Sequence, residues 1–128
     1  MNLDLPTGSS GRTALEVAEA AARAAGRVIM KGFHPQPDGE RRAPEVSHKG
    51  RANIVTDVDT QSEKAILDLL HFEYPDFRLL AEETGSQDGE TDYTWIVDPL
   101  DGTRNYASSI PHFAIVVALA QGNGLTDF

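Results

Sequence analysis

Trp95-Ile96-Val97-Asp98-Pro99-Leu100-Asp101-Gly102-Thr103 is the stretch on which the reading of this chain turns. An apolar run ends abruptly in two aspartates three residues apart, with a proline between them and Gly-Thr directly after. The apolar half reads as a short buried strand, Thr94–Val97, with Asp98 at its C-terminal end. Upstream, Phe77–Ala81 reads as another short buried strand that delivers Glu82 and Glu83 in the same way. Two strand ends that each present acids converge when the strands are neighbours in one sheet. Carboxylates are hard oxygen ligands, of the kind Mg²⁺ takes alongside substrate phosphate oxygens. Pro99 fixes one φ angle, and Gly102 lets the backbone approach a ligand closely. Thr103 adds a hydroxyl beside the acids. A metal shared by Glu82 and Asp98, with Asp101 on a second, is the arrangement used for in-line phosphoryl displacement. The pattern therefore points to metal-assisted hydrolysis of a phosphate ester.

Working outward, Thr13 and Glu16 form a T-x-x-E capping box. From there Leu15, Ala18, Ala22, Ala25 and Ile29 recur at helical spacing, which predicts a helix over about 14–33. Residues 1–12 read as a flexible leader. The segment 34–48 carries Pro35, Pro37 and Pro44 among mixed charges and reads as a loop or mobile arm. Asn53-Ile54-Val55 reads as a short extended piece. Asp59 or Thr60 then caps a second helix over about 60–73, which Pro75 prevents from continuing. Thr84–Asp92 is a polar, acidic turn region. Phe113–Ala120 is β-branched enough for a central strand. Gln121-Gly122-Asn123-Gly124 is a hairpin turn signal, with Leu125 opening a returning strand. A sheet ending there leaves an open edge, so the expectation is the N-terminal portion of something longer.

The chain has 128 residues, enough to bury one core, and a formal net charge of −9. Such a charge argues against nucleic acid and anionic membrane as partners. It also repels a phosphorylated substrate, so a phosphate site here requires cations. The absence of cysteine excludes disulfides, thiolate metal sites and cysteine-nucleophile phosphatase chemistry. No apolar run of transmembrane length and no signal-peptide pattern is present, which predicts a cytoplasmic protein. His34, His48, His71 and His112 are scattered without an H-E-x-x-H pair, and no P-loop exists. Asp88–Asp92 has a calcium-like composition but fails EF-hand spacing.

Trp95–Thr103, continued by Arg104-Asn105-Tyr106, resembles the first signature of the inositol monophosphatase family, the lithium-sensitive, magnesium-dependent sugar phosphatases. Ala81-Glu82-Glu83-Thr84 is similar to the family's acidic segment, and Asn53–Asp59 to the segment before its second helix. The resemblance spans most of residues 13–128. It implies that Glu82, Asp98 and the carbonyl of Leu100 ligate a first Mg²⁺, and that Asp98 and Asp101 hold a second. It further implies that Gly102 and Thr103 receive the phosphate through backbone N–H groups at a helix start. Thr103 with Asp59 would orient the attacking water alongside Glu82, and Glu83 would support the site. Lys49 falls near the family's lysine ahead of the second helix, one residue out of spacing. Ala81 stands where the family usually has Gly, and the family's second, Trp-Asp-containing signature has no counterpart in these residues.

The expected fold is α+β: two N-terminal helices packed on a mainly antiparallel sheet, like the first domain of the layered inositol monophosphatase fold. Residues 13–128 would form an incomplete N-terminal metal-binding phosphatase domain. The expected activity is Mg²⁺-dependent hydrolysis of inositol monophosphate or a similar polyol phosphate by metal-activated water. Related alternatives are histidinol phosphate, fructose bisphosphate or phosphoadenosine phosphate as substrate; the Thr-Arg-Asn-Tyr continuation favours the inositol type. A different alternative is a truncated, non-catalytic metal-binding fragment. The expected partner is a small phosphate ester, and members of the family commonly form homodimers.

Overall fold

A computed structural model describes residues 5–33 and 48–122, with side chains over 5–33 and 57–122. The elements run α1 (Ala14–Gly32), α2 (His48–Glu73), β1 (Arg78–Ala81), β2 (Gly85–Gln87), β3 (Tyr93–Asp101), α3 (Thr103–Ala107) and β4 (Ala114–Gln121). The strands form one sheet in the order β2-β1-β3-β4. β1 pairs antiparallel with β2 and parallel with β3, and β3 pairs antiparallel with β4. The sheet is mixed, with antiparallel pairings in the majority and both long helices packed on it, as expected. No helix among the described residues is long and apolar enough to cross a membrane.

α1 begins where the capping box places it. Glu16 N–H donates to the Thr13 hydroxyl at 3.2 Å, and Thr13 N–H donates to the Glu16 carboxylate at 3.1 Å. Its buried face is Ala14, Val17, Ala21, Ala25 and Ile29, small side chains that let α2 approach closely. From α2 come Ile66 and Leu70, from the sheet Leu79, Ala81, Trp95 and Val97, and together these make the main core. A second cluster, Ile29, Phe33, Val58, Leu100 and Tyr106, lies beneath the acidic strand ends.

Three expectations are corrected here. α2 starts at His48, so Asn53-Ile54-Val55 is helical and Asp59 and Thr60 are interior residues rather than caps. The buried series Val58, Ser62, Ile66 and Leu70 keeps a four-residue spacing straight through the supposed boundary, and such packing outweighs weak β-branched propensity. The supposed turn region 84–92 contains β2, whose Gly-Ser-Gln sequence carries no strand pattern and pairs because β1 offers an edge. Residues 6–12, read as a flexible leader, are tied down. Ser10 N–H and Oγ–H donate to the buried Glu73 carboxylate at 2.8 and 2.5 Å, and the Tyr74 hydroxyl donates to Pro6 O at 2.9 Å. The expected loop over 34–47 and the hairpin beyond Gly122 lie outside the described residues.

Tyr106 fastens α3 to α1. Its hydroxyl donates to Ile29 O at 3.0 Å, one of the carbonyls a helix leaves unpaired in its last turn. The fit requires glycine at position 32, where a Cβ would stand 2.6 Å from the Tyr106 hydroxyl. Tyr106→Phe leaves a buried carbonyl without its donor, and thermal unfolding is expected to show a loss of about 1–2 kcal/mol.

Candidate functional site

The acids gather where β1 ends and β3 runs on past it. Ala81 pairs with Val97 in the parallel ladder, so Glu82 and Asp98, each the next residue along, emerge together. The strand run continues past Asp98 to Asp101, with a register irregularity between those two residues against β4. Pro99 occupies that irregularity, where its missing N–H costs the ladder nothing. Leu100 N–H donates to Asp98 Oδ1 at 3.2 Å, which turns the chain and fixes the carboxylate.

Beyond the strand, Gly102 adopts φ +95°, a left-handed conformation that only glycine takes without strain. A Cβ there would lie 2.9 Å from His112 O and 3.2 Å from Phe113 Cα. The loop after α3 is thus closed onto the Asp-Gly-Thr turn, and Asn105 Nδ2 donates to the same His112 carbonyl at 2.8 Å. Asp101, Gly102, Asn105 and residues 111–114 line an open cavity of about 440 Å³ beside the acids.

The third contribution comes from α2. Asp59 is pushed up to about 6, by burial first and then by the charges of Glu83, Asp98 and Glu63. Its Oδ1 is buried without a hydrogen-bond partner. Glu82 is pushed up to about 7, first by its hydrogen bond to the Asp98 carboxylate, then by burial and by the charges of Asp98, Asp59 and Glu83. A carboxyl that keeps its proton to donate to a neighbouring carboxylate is what like charges do when crowded.

Asp59, Glu82, Glu83 and Asp98 are therefore brought together. Asp101 is exposed at the strand's end, on the cavity. Leu100 is buried, and its carbonyl accepts the Thr103 hydroxyl at 3.1 Å. Gly102 and Thr103 open α3, a helix of five residues. Glu83 meets its neighbours through its main chain, with N–H donating to Glu63. Lys49 lies in α2, with its side chain outside the described residues. Among the described residues, no three His, Asp or Glu side chains stand close enough together to hold a cation as they are placed. Even so, the donor set fits a hard divalent cation. It offers an orphaned buried carboxylate oxygen on Asp59 and the neighbouring carboxyl groups of Glu82 and Asp98, all hard oxygen donors.

Glu63 was missed by the sequence reading. A glutamate four residues after Asp59, on the same face as Ile66 and Leu70, was its available signal.

The raised carboxyls set a pH dependence. Asp59 and Glu82 keep their protons in the folded chain above their ordinary values of 3.8 and 4.5, up to about 6 and about 7. Over that window the folded state binds more protons than the unfolded state, so their contribution to stability is lost as pH rises. A divalent cation must displace those protons, so its affinity rises over the same window. Melting curves from pH 5 to 8 are expected to show a falling Tm in EDTA and a growing increment with Mg²⁺.

Residues 11–126 match the sequence pattern described as the Inositol monophosphatase family. The chain is 42% identical over 110 residues to the protein named Nus factor SuhB of Haemophilus influenzae, covering 85% of this chain and 39% of that one. It is 37% identical over 108 residues to a fructose-1,6-bisphosphatase/inositol-1-monophosphatase of Aquifex aeolicus, covering 84% of this chain and 39% of that protein. Among solved structures, extragenic suppressor protein suhB from Bartonella henselae superposes with a TM-score of 0.67 at 33% identity, covering 84% of this chain and 38% of that one. The chain thus spans about two fifths of the length of the curated relatives it matches. A matching pattern over nearly all of its residues, and the shared fold around the paired strand ends, place the chain in the inositol monophosphatase family.

Proposed function

We propose that residues 13–128 form the N-terminal metal-binding domain of a Mg²⁺-dependent phosphomonoesterase acting on inositol monophosphate or a similar polyol phosphate. The observation that supports this reading best is the meeting of Asp59, Glu82 and Asp98, with Asp59 Oδ1 buried and unpartnered. Glu82, Asp98 and the Leu100 carbonyl would hold one Mg²⁺, and Asp98 with Asp101 a second. When bound, the metal neutralises phosphate charge and lowers the pKa of a coordinated water.

The chain's own groups divide the remaining work. Thr103 spends its hydroxyl proton on Leu100 O, so its lone pairs face outward as acceptors that orient a water. Asp59 is the second acceptor for that water, and its raised proton affinity suits it to hold a proton near neutral pH. The N–H groups of Gly102 and Thr103 receive phosphate oxygens, since first-turn N–H groups lack intrahelical partners. The Asp101–Ala114 cavity takes the polyol. The net charge of −9 favours an ester delivered with its cation over contact with nucleic acid.

The test is phosphate release from inositol 1-phosphate with and without millimolar Mg²⁺, with fructose 1,6-bisphosphate in parallel because the Aquifex relative carries both activities in its name. Release that needs Mg²⁺ and prefers the inositol ester supports the reading, and preference for the bisphosphate moves the substrate. Mg²⁺ binding without release of phosphate would leave this chain a metal-binding unit with no turnover of its own.

A further inference from the structure

Glu63 stands one helical turn after Asp59 on the face of α2 turned toward the sheet, and it is only 3% exposed. Its carboxylate accepts three hydrogen bonds, all from the turn joining β1 to β2. Glu83 N–H donates to Oε1 at 2.9 Å, while Thr84 N–H and Thr84 Oγ–H donate to Oε2 at 2.9 and 2.7 Å. No lysine or arginine pairs with it among the described residues. A buried charge without a counter-ion is costly, and it persists here because main-chain and hydroxyl donors satisfy it.

The turn it grips is otherwise bare. Glu82, Glu83 and Thr84 are all exposed and place no apolar side chain in either core cluster. Their backbone direction therefore depends on the β1–β2 pairing below and on Glu63 above. Glu82 is the first residue of that turn, so the direction of its side chain is fixed by the same bonds. Because Asp59 and Glu63 are four residues apart on one helix, a single rigid element presents one acid and clamps the segment carrying another.

We propose that Glu63 is a positioning residue: by capping the Glu83 and Thr84 N–H groups, it sets Glu82 against Asp98 and Asp59. The proposal rests on the metal-site reading above and names the group that keeps its donors in register. A residue that merely stabilised the hairpin would alter melting and metal affinity together, whereas a positioning residue alters affinity at unchanged stability.

The experiment compares the chain with Glu63→Gln, whose amide keeps the size but turns N–H groups toward donors that need an acceptor. Neutralising a buried carboxylate offsets the lost bonds, so the variant is expected to melt near the parent in EDTA. Mn²⁺, followed by water-proton relaxation, is the probe, and hydrogen exchange of the Glu83 and Thr84 amides is the second readout. The expected result is Mn²⁺ affinity lowered about 10-fold, the scale seen when groups supporting metal ligands are removed, with both amides exchanging faster. Unchanged affinity would overturn the proposal. If Glu63→Gln does not fold, Thr84→Val removes one donor only. A smaller loss of affinity at unchanged melting then supports the proposal, and no loss overturns it. If the parent chain binds no Mn²⁺, the metal-site reading fails, and amide exchange decides the role of Glu63: faster exchange upholds the clamp, and retained protection removes it.

Discussion

Asp98→Asn is expected to remove the Mg²⁺-dependent rise in melting temperature while raising the melting temperature measured in EDTA. The two effects have one origin. Asp98 accepts the hydrogen bond from Glu82 and contributes to the repulsion that lifts both Glu82 and Asp59. Replacing it with a neutral amide relieves that crowding, so the chain without metal gains stability, most clearly above pH 7, where the crowded acids are ionised. The same replacement removes the carboxylate proposed to touch both metals. At a concentration of 100 times Kd a ligand stabilises a fold by about 2.7 kcal/mol, a shift of several degrees in a domain of this size. That increment should vanish in the variant. Asn keeps the side-chain oxygen that accepts Leu100 N–H, so the turn after Asp98 is preserved. An Asp98→Asn variant that still gains stability from Mg²⁺ would place the metal elsewhere.

Gly102→Ala carries the other large effect. Position 102 sits at φ +95°, where a side chain is strained whatever the space, at a cost of about 1–3 kcal/mol. Space is also lacking: the added Cβ meets His112 O at 2.9 Å and Phe113 Cα at 3.2 Å. Both neighbours are main chain, so no rotamer change relieves the contact, and the loop after α3 must move away. That displacement shifts Thr103 and the N–H groups proposed to receive phosphate, and a misplacement near 1 Å costs about 100-fold in rate. Far-ultraviolet circular dichroism should retain the signal of α1 and α2, whose main packing is against each other and against β1 and β3. Phosphate release should fall about 100-fold. Wild-type turnover by Gly102→Ala would separate this loop from the reaction.

The sequence made the strands legible because each is a dense apolar run with a sharp end. β1 and β4 fall close to their expected places, β3 begins as read but runs four residues beyond Val97 to Asp101, and the capping box of Thr13 and Glu16 forms as read. The meeting of Glu82 with Asp98 follows from those same ends, once Ala81 and Val97 pair. The first half of α2 was not legible, since Ile54, Val55 and Thr56 carry a local preference that helical packing further along the chain overrides. β2 was hidden because Gly-Ser-Gln pairs through main-chain groups alone. The same reason hid Glu63, whose partners are two N–H groups and a hydroxyl from twenty residues away in the chain. Residues 6–12 looked loose by composition, and Glu73 and Tyr74, far along the sequence, are what hold them.

The most direct test of the metal-site account is Mn²⁺ titration of the isotope-labelled chain followed by paramagnetic broadening of its amide resonances. The account predicts broadening that begins at Asp59, Glu82, Glu83 and the run Asp98–Thr103, and that Mg²⁺ reverses competitively. Broadening that starts instead at the exposed acids Asp88 and Glu90, or is spread evenly over the acidic surface, would contradict it.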